Sequence, residues 1–308
     1  APDYPADFAR RQLTGTVTVR FTVTPEGKAS RARVLAATSP ELIRPALDAL
    51  ARSEFNPAKQ GEARREADLV APFEFSPIGF EKADVLAANR IRPATGDDWA
   101  GFTAPPRPVS VVEPVYPLDA LVAGRAGTAE VALSVSNSGT VRSVKIRSAS
   151  APEFGEALAA AAAHWGFRPA SNADGWTECE VLLAHDFVPR SEPSVLHPDI
   201  DRLVQAVSPG GPGVHAPTRL DSRLTPVWQV QPKQPEDFVA QGQPAEAVID
   251  FIIDREGRAR LPRVVRSTMP SVGWAAITAV SCWVFERPTQ DGQPIDVRVA
   301  IPIKFPAP

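Results

Sequence analysis

Five residues recur at the same spacings three times along the chain, and this period constrains the fold more than any other feature. Counted from Pro5, Pro117 and Pro235, a glycine stands at +22 (Gly27, Gly139, Gly257) and a proline at +35 (Pro40, Pro152, Pro270). Phenylalanines follow at +50 (Phe55, Phe167, Phe285) and +70 (Phe75, Phe187, Phe305). No gap interrupts any copy. A fixed period of this kind means that one supersecondary unit is built three times.

Each landmark has a local physical reason. Before the glycine, apolar residues alternate: Val17, Val19, Phe21 and Val23, then Ala129, Val131, Leu133 and Val135, then Ala247, Ile249, Phe251 and Ile253. A period of two predicts a strand with one buried face. The segments TPEGK, SNSGT and DREGR then predict a tight hairpin turn, its glycine supplying the left-handed backbone. A second strand carries Val34, Ile146 and Val264. The +35 proline ends it and opens a helix whose buried face is read at +37, +41, +44, +45 and +48, the offsets of one α-helical stripe. That stripe is Leu42, Ala46, Ala49, Leu50 and Ser53 in the first copy. It is Phe154, Leu158, Ala161, Ala162 and Trp165 in the second, and Val272, Ala276, Ala279, Val280 and Trp283 in the third. Both tryptophans therefore read as core. A last strand runs into the final phenylalanine. With a weakly helical stretch after the origin proline, such as DFARRQL, each unit reads α-β-β-α-β. The expected fold class is α+β: three tandem modules, each a three-stranded antiparallel sheet with helices on one face.

The modules are placed at 1–76, 113–188 and 231–308. The linkers 77–112 and 189–230 each hold a helix-like stretch, FEKADVLAANR and HPDIDRLVQAV. Proline-rich segments follow these stretches, the second containing a PGGPG joint. The 33 prolines among 308 residues fit this alternation of short elements and stiff connections. Lys and Arg total 33 against 36 Asp and Glu, intermixed, for a net charge of -3. Such a balance makes no polyanion-binding surface, so nucleic acid is not an expected partner. No apolar run is long enough to span a bilayer. The start at Ala1 suits a mature terminus left by cleavage or an arbitrary chain boundary. Cys179 and Cys282 stand far apart without metal-ligand companions and read as buried thiols.

The ordered set of motifs resembles the C-terminal domain of TonB, the energy-transducing protein of the Gram-negative periplasm. The first copy carries PDYP at Pro2–Pro5, the hairpin GTVTVRFTVTPEGKASRARVLAA and FNPAKQG at Phe55–Gly61. The second carries PVYP at Pro114–Pro117 and WGFRPA at Trp165–Ala170. The third carries PKQP at Pro232–Pro235 and WVFERP at Trp283–Pro288. The copies depart from the pattern in places: Gln234 replaces the tyrosine in the third, and Ser53 the tryptophan in the first. A membrane anchor and long spacer, usual in TonB, are not in this sequence.

The resemblance implies a periplasmic or exported protein-interaction role. The family's domain takes an extended peptide of an outer-membrane receptor as an added strand beside its last strand, by main-chain pairing. Carried over by position, the expected edges are 67–75, 179–187 and 297–305. Pro72 and Pro302 would interrupt pairing in the outer copies. The second copy is therefore the preferred edge: Cys179, Glu180, Val181, Leu182, Leu183, Ala184, His185, Asp186 and Phe187. Tyr116 with Pro117, and Tyr4 with Pro5, are expected to flank the peptide. The alternative is that linkers or neighbouring copies cover these edges.

Nothing in the sequence assembles a catalytic site, and neither an enzyme nor a cofactor is expected. His185 and Asp186 are adjacent on a strand and so point to opposite faces. HExxH, GxSxG and P-loop patterns do not occur. Asp97–Asp98 read as a solvated turn. A second functional reading is an assembly component whose modules pack on each other or on other subunits. Val248 and Ile252 give the third module an apolar outer face, and self-association through it is a further expectation.

Overall fold

The computed structural model describes residues 15–60, 63–75, 91–94, 99–189, 198–214 and 220–308. Tyr4, Pro5, DFARRQL, FEKADVLAANR and Asp97–Asp98 lie outside them. The chain is mixed α+β, its sheets antiparallel, and it divides into two compact units. One comprises 1–83 with 225–228, the other 84–224 with 229–308.

In the first unit, β1 (Gly15–Val23) and β2 (Ala29–Ala37) form the hairpin. A 3-10 turn at Pro40–Leu42 leads into α1 (Ile43–Arg52). A small hairpin of β3 (Ala58–Gln60) and β4 (Ala63–Arg65) precedes β5 (Ala67–Phe75). The strand order is β2-β1-β5. Val17, Val19, Phe21 and Val23 are all buried beneath Leu42, Ala46 and Leu50, as the two periodicities require.

The second unit opens with β6 (Ile91–Pro93), β7 (Arg107–Ser110) and α2 (Leu118–Val122). The second module's hairpin follows, β8 (Gly127–Val135) and β9 (Val141–Ala149), then α3 (Pro152–Ala162). β10 (Gly166–Arg168) pairs with β7, β11 (Ala170–Asn172) with β12 (Gly175–Thr177), and β13 (Cys179–Phe187) closes the sheet. This sheet has four strands where three were expected, in the order β6-β13-β8-β9. The extra strand comes from the linker before the module. Its three residues, one a proline, carry no alternation from which a strand could be read.

In the second linker, α4 (Pro198–Val207) is the helix expected from HPDIDRLVQAV. The PGGPG segment folds back on its end, Gly213 donating to the Ala206 carbonyl at 2.7 Å. β14 (Pro226–Trp228) falls in the first unit. The third module contains α5 (Glu236–Gln241), β15 (Ala245–Ile253), β16 (Ala259–Ser267) and α6 (Pro270–Ser281). After these come β17 (Val284–Phe285), β18 (Thr289–Gln290), β19 (Gln293–Pro294) and β20 (Val297–Phe305), and its sheet runs β16-β15-β20.

The repeat landmarks meet in space. In every copy the +50 phenylalanine donates its backbone N–H to the carbonyl of the +22 glycine, at 2.9, 2.8 and 2.6 Å. Gly27, Gly139 and Gly257 all have φ near +80°. A Cβ on Gly139 would lie 1.8 Å from the Phe167 carbonyl oxygen, so both backbone sign and close approach demand glycine there. A hydroxyl at +33, unnoticed in the sequence, recurs as well. Thr38, Ser150 and Thr268 accept from the N–H groups of Thr16, Thr128 and Glu246 at 2.9, 2.9 and 3.0 Å, fastening the start of the first strand.

Both tryptophans are core residues with one polar task. Trp165 Nε1 donates to the Val112 carbonyl and Trp283 Nε1 to the Val230 carbonyl, each at 2.9 Å. A buried indole thus holds the segment that leads into its own module.

Candidate functional site

The preferred edge, Cys179–Phe187, is the last strand β13, paired along its inner side with β8 from Cys179↔Val135 to Phe187↔Gly127. Cys179, Val181, Leu183 and Phe187 turn into the core of the second module. Glu180, Leu182, Ala184 and Asp186 take the other face by alternation.

Its outer side carries β6. The pairs are Val181↔Pro93, Leu182↔Arg92 and Leu183↔Ile91, antiparallel. Ala94 donates its N–H to the Glu180 carbonyl at 3.2 Å. Antiparallel ladders alternate hydrogen-bonded and non-hydrogen-bonded pairs, so Pro93 falls opposite Val181 at a non-hydrogen-bonded position. Its missing N–H costs the ladder nothing. Side chains reinforce the pairing on both faces. Ile91 joins the core beside Leu183. Arg92 reaches diagonally across β13 to Glu130 on β8, at 2.7 Å. Downstream, Trp99 and Phe102 also pack on this core, and Thr103 donates to the Ser171 carbonyl at 2.7 Å. The linker thus covers the middle of the edge.

Tyr116 stands at the Phe187 end of β13. Its ring meets Phe187 edge-on, centroids 5.6 Å apart, and Phe154 at 6.0 Å. Its hydroxyl donates to the Arg125 carbonyl at 2.7 Å and lies 3.4 Å from that of Phe187. Burial raises its pKa, against the nearby Arg125. Pro117 caps the start of α2. The structure therefore brings Tyr116 to the edge strand; Tyr4 and Pro5 lie outside the described residues.

Reactive groups on the edge are tied up in packing. Burial pushes the Cys179 thiol up to about 11, the Ala170 backbone hydrogen bond opposing it, so the thiolate is scarce at neutral pH. The His185 ring lies edge-on to Phe187 at 4.7 Å. Among the described residues, no group of three or more His, Cys, Asp or Glu could hold a metal ion.

The corresponding last strands of the other modules, β5 and β20, lie at the ends of their sheets among the described residues. On β5, Leu69 and Val70 are exposed by 44% and 54%. On the third module's outer face, Asp250 is clamped between Arg263 (2.7 Å) and Arg298 (2.6 Å). Burial raises its pKa, but these two guanidinium groups overcome that and hold the carboxyl below its usual range. Ile252, the apolar outer-face residue, is buried within the single chain, and α4 packs on the neighbouring β16. The expected apolar patch is thus already filled at Ile252.

The second and third modules share a packed boundary. α3 lies against α6, and Trp274 touches both cores.

A search of curated proteins gave no match. Among the described residues no helix is long and apolar enough to cross a membrane. Residues 1–77, 112–189 and 230–306 each match the family described as Gram-negative bacterial TonB protein C-terminal, which is a non-catalytic protein-interaction family. The chain belongs to the TonB C-terminal domain family and carries the domain three times.

Proposed function

We propose that the chain is a periplasmic or exported, non-enzymatic interaction protein of the Gram-negative envelope. Its modules take extended peptides, such as segments of outer-membrane receptors, by strand addition to their last strands. The module boundaries 1–76, 113–188 and 231–308 belong to the same proposal. The observation that carries it is the pairing of Ile91–Pro93 with β13. A short, extended segment lies on the edge where a peptide ligand would lie, with a main-chain bond to the strand and two buried side chains, Ile91 and Pro93. The chain's own linker is thus an internal example of strand addition. Cys179–Phe187 is the proposed binding edge, flanked by Tyr116 and Pro117.

The test is a titration of the full chain with receptor-derived extended peptides, followed by backbone amide shifts. Shifts concentrated in Cys179–Phe187 are expected. A titration that leaves these amides unmoved removes the proposed site.

One observation favours a second reading, an assembly component built from packed modules. It is the shared burial of Trp274 between the second and third cores. Light scattering after size exclusion separates the two: a strict monomer at high concentration counts against assembly with further copies.

A further inference from the structure

We infer that Ile91–Pro93 is a built-in competitor for the β13 edge, which an external peptide must displace. This rests on the strand-addition reading and adds a regulation to it: the second module holds its own pseudo-ligand.

Three observations support displacement. Among the described residues the segment pairs with three of the nine residues of β13, Val181, Leu182 and Leu183, and Ala94 adds one bond to the Glu180 carbonyl. A peptide longer than this segment would gain its advantage by pairing with β13 beyond these positions. Second, the side-chain hold is modest. Ile91 and Pro93 are its two buried side chains, both small beside the core that β13 itself supplies. The Arg92–Glu130 pair is solvent-exposed on the arginine side, and such pairs contribute little. Third, the attachment strengthens further along the linker. Trp99 and Phe102 are packed against the core, Thr103 and Ala104 are hydrogen-bonded to Ser171, and β7 is paired with β10. Ile91–Pro93 can therefore leave β13 while the downstream linker stays docked.

The pairing also defines what should compete. It is an extended segment running antiparallel to β13. One β-branched apolar residue faces the core beside Leu183, and the next carries a cation toward Glu130. A proline is tolerated opposite Val181. Because the internal strand is tethered, its effective concentration is high. A free peptide of the same sequence then binds with an affinity lowered by the fraction of molecules whose edge is open.

The experiment uses the full chain and a fluorescent peptide, Gly-Ser-Ile-Arg-Pro-Ala-Gly-Ser, read by anisotropy. Amide hydrogen exchange of β13 runs in parallel. Ile91→Asp removes the buried anchor and is expected to tighten peptide binding at least about tenfold, equal to 1.4 kcal/mol. Arg92→Glu alters only a surface ion pair and leaves the fold intact. It is expected to tighten binding about two- to threefold, as loss of an exposed pair allows. In both variants the bound peptide should protect Val181–Leu183 amides from exchange. Equal affinity in wild type and both variants overturns the competitor while leaving strand addition at other edges standing. Tighter binding that protects a different segment also overturns it. Absence of peptide binding in every form overturns both the competitor and strand addition at β13.

Discussion

At the residue scale, the three glycines at +22 hold the hairpin turn to the segment after the helix. The N–H of each glycine bonds back across the turn, to Thr24, Ser136 or Asp254, at 2.8–2.9 Å. Its carbonyl receives the +50 phenylalanine N–H. Gly124 also has a positive φ, +63°, but a Cβ there would meet nothing within 4 Å. The pair separates backbone strain from collision. Gly124→Ala should cost about 1–2 kcal/mol, the penalty of a left-handed alanine. Gly139→Ala should cost at least about twice that, because the methyl would also strike the Phe167 carbonyl. Urea unfolding midpoints of the two variants check this; equal shifts would mean that the Gly139–Phe167 approach relaxes freely.

At the element scale, strands and helices were largely legible because their apolar periods are long and unmixed. Val131, Leu133 and Val135 announce β8, and Phe154, Leu158 and Ala162 announce α3. All six are buried as read. What could not be read was β6. Ile91–Pro93 is too short to show a period, and its strand character comes from the edge it meets. The +33 hydroxyls were missed because serine and threonine alternate there and no spacing rule marks them. The lead-in segments were equally silent, since their anchor is a tryptophan N–H 53 residues away. That anchor is testable. Trp283→Phe keeps most of the apolar ring and deletes the donor to Val230. It should cost about 1–2 kcal/mol through the lost hydrogen bond and the stranded carbonyl. Amide exchange around Val230 should quicken more than exchange in β15. Unchanged exchange near Val230 would show that the lead-in is held by other contacts.

At the scale of the whole molecule, the second and third modules are joined by a boundary that carries a titratable group. Burial, and then the positive charge of Lys233, lowers the pKa of His164 to about 4, and its Nε2 is buried with no hydrogen-bond partner among the described residues. The unfolded chain takes up this proton near pH 6.5, so between the two values the unfolded state binds more protons. His164 therefore makes stability fall as the pH drops through that window, by about 2 kcal/mol at pH 4.5. Glu156 acts in the opposite sense. Burial and then Asp237 raise its pKa, so its contribution is lost as the pH rises through the folded value. Comparing wild type with His164→Asn at pH 7.5 and 4.5 isolates the histidine. The variant should lose less stability on acidification; the same loss in both would place the acid sensitivity elsewhere.

The central claim is that the last strand of the second module accepts an extended peptide along its backbone. Intermolecular nuclear Overhauser contacts test it most directly, measured between a labelled full chain and an unlabelled bound peptide. The account predicts an antiparallel ladder of backbone contacts to Cys179–Phe187, replacing those of Ile91–Pro93. Contacts confined to helix faces or to side chains, with the Ile91–Pro93 pairing intact, would contradict it.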